Sequence, residues 1–235
     1  MNTKLQIDVN ELNAELLSLP LEQRLELVLR QGFTSAKLSS SLGQEDQLIT
    51  ARIATSNLPI SIFTLDTGRL FRETELLISE TEEKYKIKIE RFYPDANALS
   101  ELEKTKGLYS FYNSVEERVD CCNIRKVEPL KRALSTADLW LTGLRSDQSQ
   151  NRKEITFIEY DERWSLFKFN PIVDYTFEQV QQELTTNNIP QNPLHELGYI
   201  SIGCRPCTRA VYPDEDIRAG RWWWEQSKKE CGLHR

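Results

Sequence analysis

The sequence lacks the segments that would place the chain in or across a membrane. It has no run of about 18 apolar residues, so no transmembrane helix is expected. The first eight residues contain neither an apolar core nor a small-residue cleavage site, which argues against a signal peptide. Low-complexity tracts and internal repeats are absent, and 39% hydrophobic with 28% charged residues is a globular composition. We therefore expect a cytoplasmic protein with no membrane association.

An excess of positive charge is also missing. The formal net charge is −6 and the pI is near 5.2, which argues against a general nucleic-acid-binding domain. The basic residues are nevertheless concentrated in two short segments, which favours the binding of a small anion. These residues are Arg118, Arg125, Lys126, Lys131 and Arg132 in the first segment, and Arg205, Arg209, Arg218 and Arg221 in the second.

The five cysteines divide into two close pairs, Cys121–Cys122 and Cys204–Cys207, and the single Cys231. In a cytoplasmic protein such pairs indicate metal ligands or redox centres rather than structural disulfides. Adjacent residues can hardly place both sulfurs on one tetrahedral zinc, whereas the thiolates of a 4Fe–4S cluster each bind a different iron. A zinc knuckle and a thioredoxin-like CxxC are the alternatives, although this CxxC lies far from the first predicted strand. The pattern favours a 4Fe–4S cluster.

Alternating strand and helix patterns predict an α/β fold with a mainly parallel, twisted sheet and helices on both faces. Strands are predicted at 34–38, 60–65, 87–93 and 138–142, and 157–160 and 166–169 are expected to pair as edge strands. Helices are predicted at 10–17, 19–31, 45–56, 70–85, 115–134 and 176–186.

Three polar turns, at 39–43, 66–68 and 142–145, follow predicted strands. They should meet at the edge where parallel sheets bind ligands. The serines and helix start of SSSLGQED (39–46) favour a bound phosphate, although no Gly-Lys-Ser/Thr of a Walker A loop follows. A helix N-cap with acidic first-turn residues is the alternative for the same segment. Arg145, at the end of a strand, is well placed for a phosphate.

Cys231 is either a stray tail cysteine or a nucleophile. Lys228, Lys229 and His234 lie close to it in sequence and would lower the pKa of the thiol. A thiol near the end of a tail can also move between a substrate and an external reductant.

Other conspicuous residues have simpler interpretations. His195 is expected to be a loop or packing residue, and Asp174 with Glu178 a solvated helix start. At least one of three consecutive tryptophans, Trp222, Trp223 and Trp224, should pack the tail against the domain.

Several segments together resemble the assimilatory sulfonucleotide reductases, and specifically the cluster-containing adenylyl-sulfate (APS) reductases of bacteria. Besides SSSLGQED, these segments are LDTGRLFRET (65–74), CCNIRKVEPL (121–130), LTGLRSDQS (141–149), GYISIGCRPCTRAVYPDEDIRAGRWWWE (198–225) and KECGLH (229–234). The resemblance implies an adenine-nucleotide α-hydrolase-like fold. It implies an enzyme that reduces APS to sulfite and AMP with electrons from thioredoxin or a glutaredoxin-like donor.

The resemblance also implies roles for individual residues. Cys231 would attack the sulfate sulfur and carry a thiosulfonate, with His234 nearby and Lys126 between cluster and substrate. The cluster ligands would be Cys121, Cys122, Cys204 and Cys207. Substrate contacts would come from Ser39, Ser40, Ser41, Gly43, Thr67, Gly68, Gly143, Arg145, Arg218 and Arg221, with Arg152 as a further candidate.

The resemblance divides the chain into an N-terminal helical segment (1–31), a nucleotide-binding reductase domain with the cluster (32–212) and a tail with the nucleophile (213–235). Asp214 stands where glycine is expected. Two other functions compete: reduction of the 3′-phosphorylated nucleotide PAPS, and a regulatory iron–sulfur or zinc protein that only binds nucleotides. The oligomeric state stays open, a homo-oligomer included.

Overall fold

A six-stranded sheet forms the centre of the computed structural model, which describes residues 7–148, 152 and 154–225. The strand order is β3-β2-β1-β4-β6-β5, and every neighbouring pair is parallel except β5 with β6. The strands are β1 Ala36–Ser39, β2 Ile60–Leu65, β3 Ile89–Phe92, β4 Leu139–Leu141, β5 Ile158–Asp161 and β6 Leu166–Phe169. The predicted α/β class is confirmed. The prediction of two edge strands is wrong for β6, which lies inside the sheet because it also pairs with β4.

Eight α-helices surround this sheet within the described residues. They are α1 Val9–Leu17, α2 Leu21–Leu29, α3 Gln44–Thr55, α4 Arg72–Tyr85, α5 Ala96–Lys106, α6 Val115–Cys122, α7 Glu128–Leu134 and α8 Phe177–Thr186. The sequence pattern missed α5, in which Leu102 alone is buried, so that the helix has almost no apolar periodicity. None of the described helices is long and apolar enough to cross a bilayer.

The predicted helix 115–134 is helical throughout but is not one regular α-helix. A π-helical turn, Asn123–Val127, separates α6 from α7. Pro129 gives the physical reason, because it has no N–H to donate and its ring would crowd the carbonyl of Arg125 in an α-helix. Lys126 lies in this π-helical turn, four residues after Cys122. Cys122 and Lys126 both line one small cavity.

The N-terminal helices pack directly against the main domain. Leu16 and Leu25 are fully buried in the same core cluster as Leu38 of β1. Arg24 of α2 makes the polar connection: its guanidinium donates to both carboxylate oxygens of Asp174, at 2.6 and 2.8 Å. Asp174, predicted as part of a solvated helix start, is thus the partner of a buried arginine.

We expect Arg24→Met to destabilise the protein by about 2–4 kcal/mol, because it removes the donors of the buried Leu16 and Pro171 carbonyls together with the ion pair. Arg30→Met, at the C-cap of α2, is the matched control, since the Arg30–Glu26 pair is exposed and should contribute less than about 1 kcal/mol. Urea unfolding measures both. Equal losses for the two variants would contradict the role of Arg24.

Candidate functional site

The polar turns after β1, β2 and β4 meet at one edge of the sheet, as the sequence predicts. Because β1 lies between β2 and β4, the chain order reverses at the β1–β4 junction, the point at which open α/β sheets bind ligands. A cavity of about 250 Å³ opens there. Its lining includes these predicted site residues: Ser39, Ser40, Ser41, Gly43, Thr67, Lys126, Gly143, Arg145, Arg152, Cys204, Arg218 and Arg221.

Of the predicted substrate-binding residues with described positions, only Gly68 does not line this cavity. Gly68 directly follows Thr67 and has a φ of +67°, a conformation that suits glycine. Its N–H donates to Asp66 at 3.0 Å, so it shapes the turn. Cys231 and His234 lie outside the described residues.

In the turn after β1, a carboxylate of the protein itself occupies donors that the sequence suggested for a phosphate. Asp46 accepts from the backbone N–H and the hydroxyl of Ser41, at 2.6 and 2.7 Å. Gly43, rather than a serine, is the N-cap of α3, so the capping alternative holds only for the acidic first turn. The phosphate prediction for Ser41 thus requires the ligand to share or replace the contacts of Asp46.

Asp46 also joins the β1 turn to the β4 turn. A Cβ at Gly143 would lie 2.9 Å from the Cβ of Glu45 and closer still to the Asp46 carboxylate, so the β4 turn can approach α3 only with glycine at this position. Burial raises the pKa of Asp46 to about 6, although hydrogen bonds from Ser41 and Gly143 oppose the shift.

Arg145 reaches the cavity but is already paired. Its guanidinium is buried and forms ion pairs with Glu45, at 3.0 Å, and with Asp147. It also donates to the Tyr175 carbonyl at 3.2 Å, and Gln148 donates to the same Glu45 oxygen at 2.9 Å. The charge of Arg145 is therefore largely neutralised by the protein, which leaves less of it for a ligand than the sequence suggested.

His195 lines the cavity, a position that the sequence did not suggest for it. Its Nδ1 is 2.8 Å from the Tyr199 carbonyl, which assigns the proton to that nitrogen in the neutral ring. Burial lowers the pKa of His195 despite this hydrogen bond and the charge of Glu45. No motif marked this residue, because its position depends on the packing of the short 3₁₀ helix Pro193–Leu197.

The four predicted ligand cysteines come together beside the first cavity. Cys121 and Cys122 are the last two residues of α6. Cys204 directly precedes the 3₁₀ helix Arg205–Cys207, and Cys207 is its last residue. All four are buried, none is in a disulfide, and they line one small cavity together with Lys126. Lys126 and Cys204 line both cavities, so they form the wall between them.

Basic side chains surround the four thiols. The guanidinium of Arg125 donates to the Thr67 carbonyl at 2.7 Å and to Glu103 at 2.8 Å. Arg118 forms a two-pronged ion pair with Glu225 at 2.8 and 3.0 Å, with both side chains almost fully buried. Arg69 lines the same small cavity. The positive charge that the sequence concentrates near the cysteines is therefore next to their sulfurs.

These basic side chains and the burial of the thiols change the pKa of each thiol differently. Burial raises the pKa of Cys121, and burial together with Cys204 and Cys122 raises the pKa of Cys207 to about 12. Burial acts in the same direction on Cys204, but Lys126, the Thr67 hydroxyl and two arginines outweigh it and lower the pKa. The Cys204 sulfur lies 3.3 Å from that hydroxyl. Cys204 is thus the thiolate that the surroundings favour most clearly.

The donor set fits an iron–sulfur cluster. Four buried sulfur ligands with hydrogen-bond donors and cations around them are the environment in which such clusters are held. Among the residues with described positions, no group of three or more Cys, His, Asp or Glu side chains is arranged to hold a single metal ion.

The first part of the tail packs against the thiols through Trp222. This side chain is 1% exposed, and its ring lies 4.7 Å from the guanidinium carbons of both Arg118 and Arg221. Its φ of +42° is unusual for a bulky residue and indicates that the surrounding contacts fix this turn. The prediction that one tryptophan packs this segment is confirmed.

Asp214, which stands where the resemblance leads us to expect glycine, lies in a turn that requires a positive φ. It has a φ of +73° in a turn in which Glu215 donates to the Tyr212 carbonyl at 3.2 Å. Aspartate tolerates this conformation better than most residues, so the turn is kept without glycine.

The raised pKa of Asp46 predicts a pH effect on stability. The folded protein binds this proton more tightly than the unfolded chain, so the contribution of Asp46 is most favourable below about pH 4. It falls by about 3 kcal/mol as the pH rises through 6. The free energy of unfolding of the wild type, relative to that of Asp46→Asn, should therefore decrease between pH 4.5 and 7. A difference independent of pH would contradict the assignment.

Comparison with known proteins identifies the family. The model of the phosphoadenosine phosphosulfate reductase domain matches residues 35–210. The chain is 49% identical to the adenosine 5'-phosphosulfate reductase of Agrobacterium fabrum over 234 residues, which is 99% of this chain and 90% of the relative. It is 48% identical to the enzyme of the same name from Sinorhizobium fredii over 232 residues, covering 98% of this chain and 92% of the relative.

Solved structures agree with this assignment. A phosphoadenylyl-sulfate reductase from Candida auris, crystallised with phosphate, superposes with a TM-score of 0.73 at 25% identity and covers 86% of this chain and 95% of its own. Yeast FAD synthetase in complex with FAD, at a TM-score of 0.54 and 14% identity, shares the fold over 85% of this chain and 73% of its own. The adenine-nucleotide α-hydrolase-like fold expected from the sequence is confirmed, and this chain belongs to the phosphoadenosine phosphosulfate reductase family, in the branch of the adenosine 5'-phosphosulfate reductases.

Proposed function

We propose that this protein reduces APS to sulfite and AMP in assimilatory sulfate reduction. The observation that carries this proposal is the common wall of the two cavities: Lys126 and Cys204 border both the cavity at the sheet edge and the cavity of the four cysteines. A nucleotide in the first cavity would have its anionic end beside the thiols. Relatives that align with nearly the whole of this chain are named adenosine 5'-phosphosulfate reductases, which supports the same substrate.

The anionic end of APS would be bound by cations on the cysteine side of the cavity. Lys126, Arg218 and Arg221 line the cavity, and Lys126 and Arg221 lower the pKa of Cys204, whereas Arg145 is held by Glu45 and Asp147. The β1 and β4 turns, with Gly43 and Gly143, would hold the nucleoside and its phosphate. This division of roles refines the prediction from sequence, which treated all three arginines alike.

The reaction would take place in two thiol steps. The Cys231 thiolate attacks the sulfate sulfur, the bond from that sulfur to the phosphate oxygen breaks, and AMP leaves, so that a Cys–S–SO₃⁻ adduct remains. A dithiol donor of the thioredoxin or glutaredoxin type then attacks the cysteine sulfur and releases sulfite. Its second thiol restores Cys231 and leaves the donor as a disulfide. The KECGLH motif supports these roles for Cys231 and His234, and a cytoplasmic location would provide the reduced donor.

The four buried cysteines would hold a 4Fe–4S cluster. When bound, the cluster supplies a charged, polarisable group beside the substrate site, and the two electrons of the reaction come from the thiols. Lys126 would lie between cluster and sulfate and bind the substrate anion. Arg118 and Arg125 would orient the ligand loops through Glu225 and Thr67.

The alternative substrate PAPS carries an additional 3′-phosphate. We expect kcat/KM for APS to exceed that for PAPS by at least about tenfold, equal to about 1.4 kcal/mol. Steady-state sulfite release with each nucleotide measures this ratio. A preference for PAPS would replace the proposed substrate while leaving the thiol mechanism intact.

Replacing the nucleophile separates the enzyme from a protein that only binds nucleotides. Cys231→Ser should abolish sulfite release while APS binding persists. Mass spectrometry of the wild type mixed with APS alone should detect a mass increase of one SO₃ group on the peptide that contains Cys231. Failure of cluster-loaded protein to form this adduct would contradict the mechanism, and intact function in the serine variant would favour a regulatory protein.

A further inference from the structure

An exposed apolar surface lies next to the four-cysteine cavity. It consists of Leu108, Tyr109, Tyr112, Val115, Val119 and Trp223, and we name it the aromatic face. These are six of the twelve large hydrophobic side chains that are exposed among the described residues. Tyr109 is 62% exposed and Leu108 is 50% exposed. Such a concentration on one side of the molecule is typical of a surface that contacts a partner.

The aromatic face is built on a continuous set of ring contacts. Tyr109 packs against Phe111 with a centroid distance of 6.1 Å, and Phe111 packs against Tyr112 at 4.5 Å. Tyr112 in turn contacts Trp224 at 4.4 Å and Trp223 at 6.5 Å. Phe111 is itself buried in the cluster of side chains that contains the four cysteines. The exposed rings are thus fixed in position by a buried layer, which lowers the entropy lost when a partner binds.

Two connections link the aromatic face to the reaction site. The hydroxyl of Tyr112 donates to the carbonyl of Pro206 at 2.7 Å, between the ligand cysteines Cys204 and Cys207. Trp223 lies two residues before Glu225, whose carboxylate is fixed by Arg118. Cys231 follows Glu225 by six residues, and an extended chain of that length spans at most about 20 Å. The aromatic face therefore lies within reach of a protein that reacts with Cys231.

We propose that the aromatic face is the docking surface for the dithiol protein that reduces the Cys231 adduct. This inference rests on the proposed function. Its second step needs two electrons from an external dithiol, and that donor must bring a redox-active thiol to the Cys231 sulfur. A face of this kind, apolar at its centre and rigid, suits a transient contact that forms and dissociates in each turnover.

Tyr109→Ser and Trp223→Ser test the proposal, with Tyr160→Ser as the matched control, because Tyr160 is also exposed but lies on the edge strand β5. Three quantities are measured for each variant: the KM for reduced thioredoxin, the sulfite released by excess dithiothreitol, and adduct formation with APS alone. We expect the two variants on the face to raise the KM for thioredoxin at least fivefold. The other two quantities should stay unchanged, and the control should behave like the wild type.

An unchanged KM for thioredoxin in both face variants would overturn the proposal. The proposal would also be overturned if the two face variants, but not the Tyr160 control, lost adduct formation. The aromatic face would then be needed for the reaction of Cys231 with APS rather than for binding the donor. Sedimentation of the wild type and variants identifies a third case: a dimer that the face substitutions dissociate would assign the surface to a second copy. Absence of the adduct in the wild type would instead refute the proposed function, so the two failures are distinguishable.

Discussion

The arrangement of this protein depends on the charge balance around four buried thiols. Thiolates removed from water are unfavourable unless cations or hydrogen-bond donors lie beside them. Here Arg69, Arg118, Arg125 and Lys126 line the same small cavity as the cysteines. Three of these cations are in turn paired with carboxylates: Arg118 with Glu225, and both Arg125 and Arg69 with Glu103. These ion pairs bring α5, through Glu103, and the first part of the tail, through Glu225, against the thiol site.

The charges around the thiols also link the thiol site to the cavity at the sheet edge. Lys126 borders both cavities and lowers the pKa of Cys204, and the Thr67 hydroxyl from the turn after β2 contacts that thiol at 3.3 Å. A ligand anion beside Lys126 would therefore change the electrostatic environment of the cluster ligands, and the cluster would change the affinity of Lys126 for the anion. This mutual dependence would give the proposed cluster a role in substrate binding without any transfer of electrons through it.

The sequence predicted the parts of the structure that depend on local patterns. Apolar runs located all six strands and the sheet edge at which the turns meet, although not the place of β6 inside the sheet. Cysteine spacing located the four thiols. What the sequence missed depends on contacts between distant segments. The Arg118–Glu225 and Arg24–Asp174 pairs join residues more than 100 positions apart. Asp46 accepts the hydrogen bonds of Ser41 that the sequence suggested for a phosphate. His195 lines the cavity because the short 3₁₀ helix that contains it packs there.

Mössbauer spectroscopy of anaerobically purified, ⁵⁷Fe-enriched protein, with iron and acid-labile sulfide determined on the same sample, tests the central claim most directly. The account predicts the spectrum of a single cubane cluster, with about four irons and four sulfides per chain. Zinc in place of iron would contradict it, as would a cluster that persists when both Cys204 and Cys207 are replaced by serine.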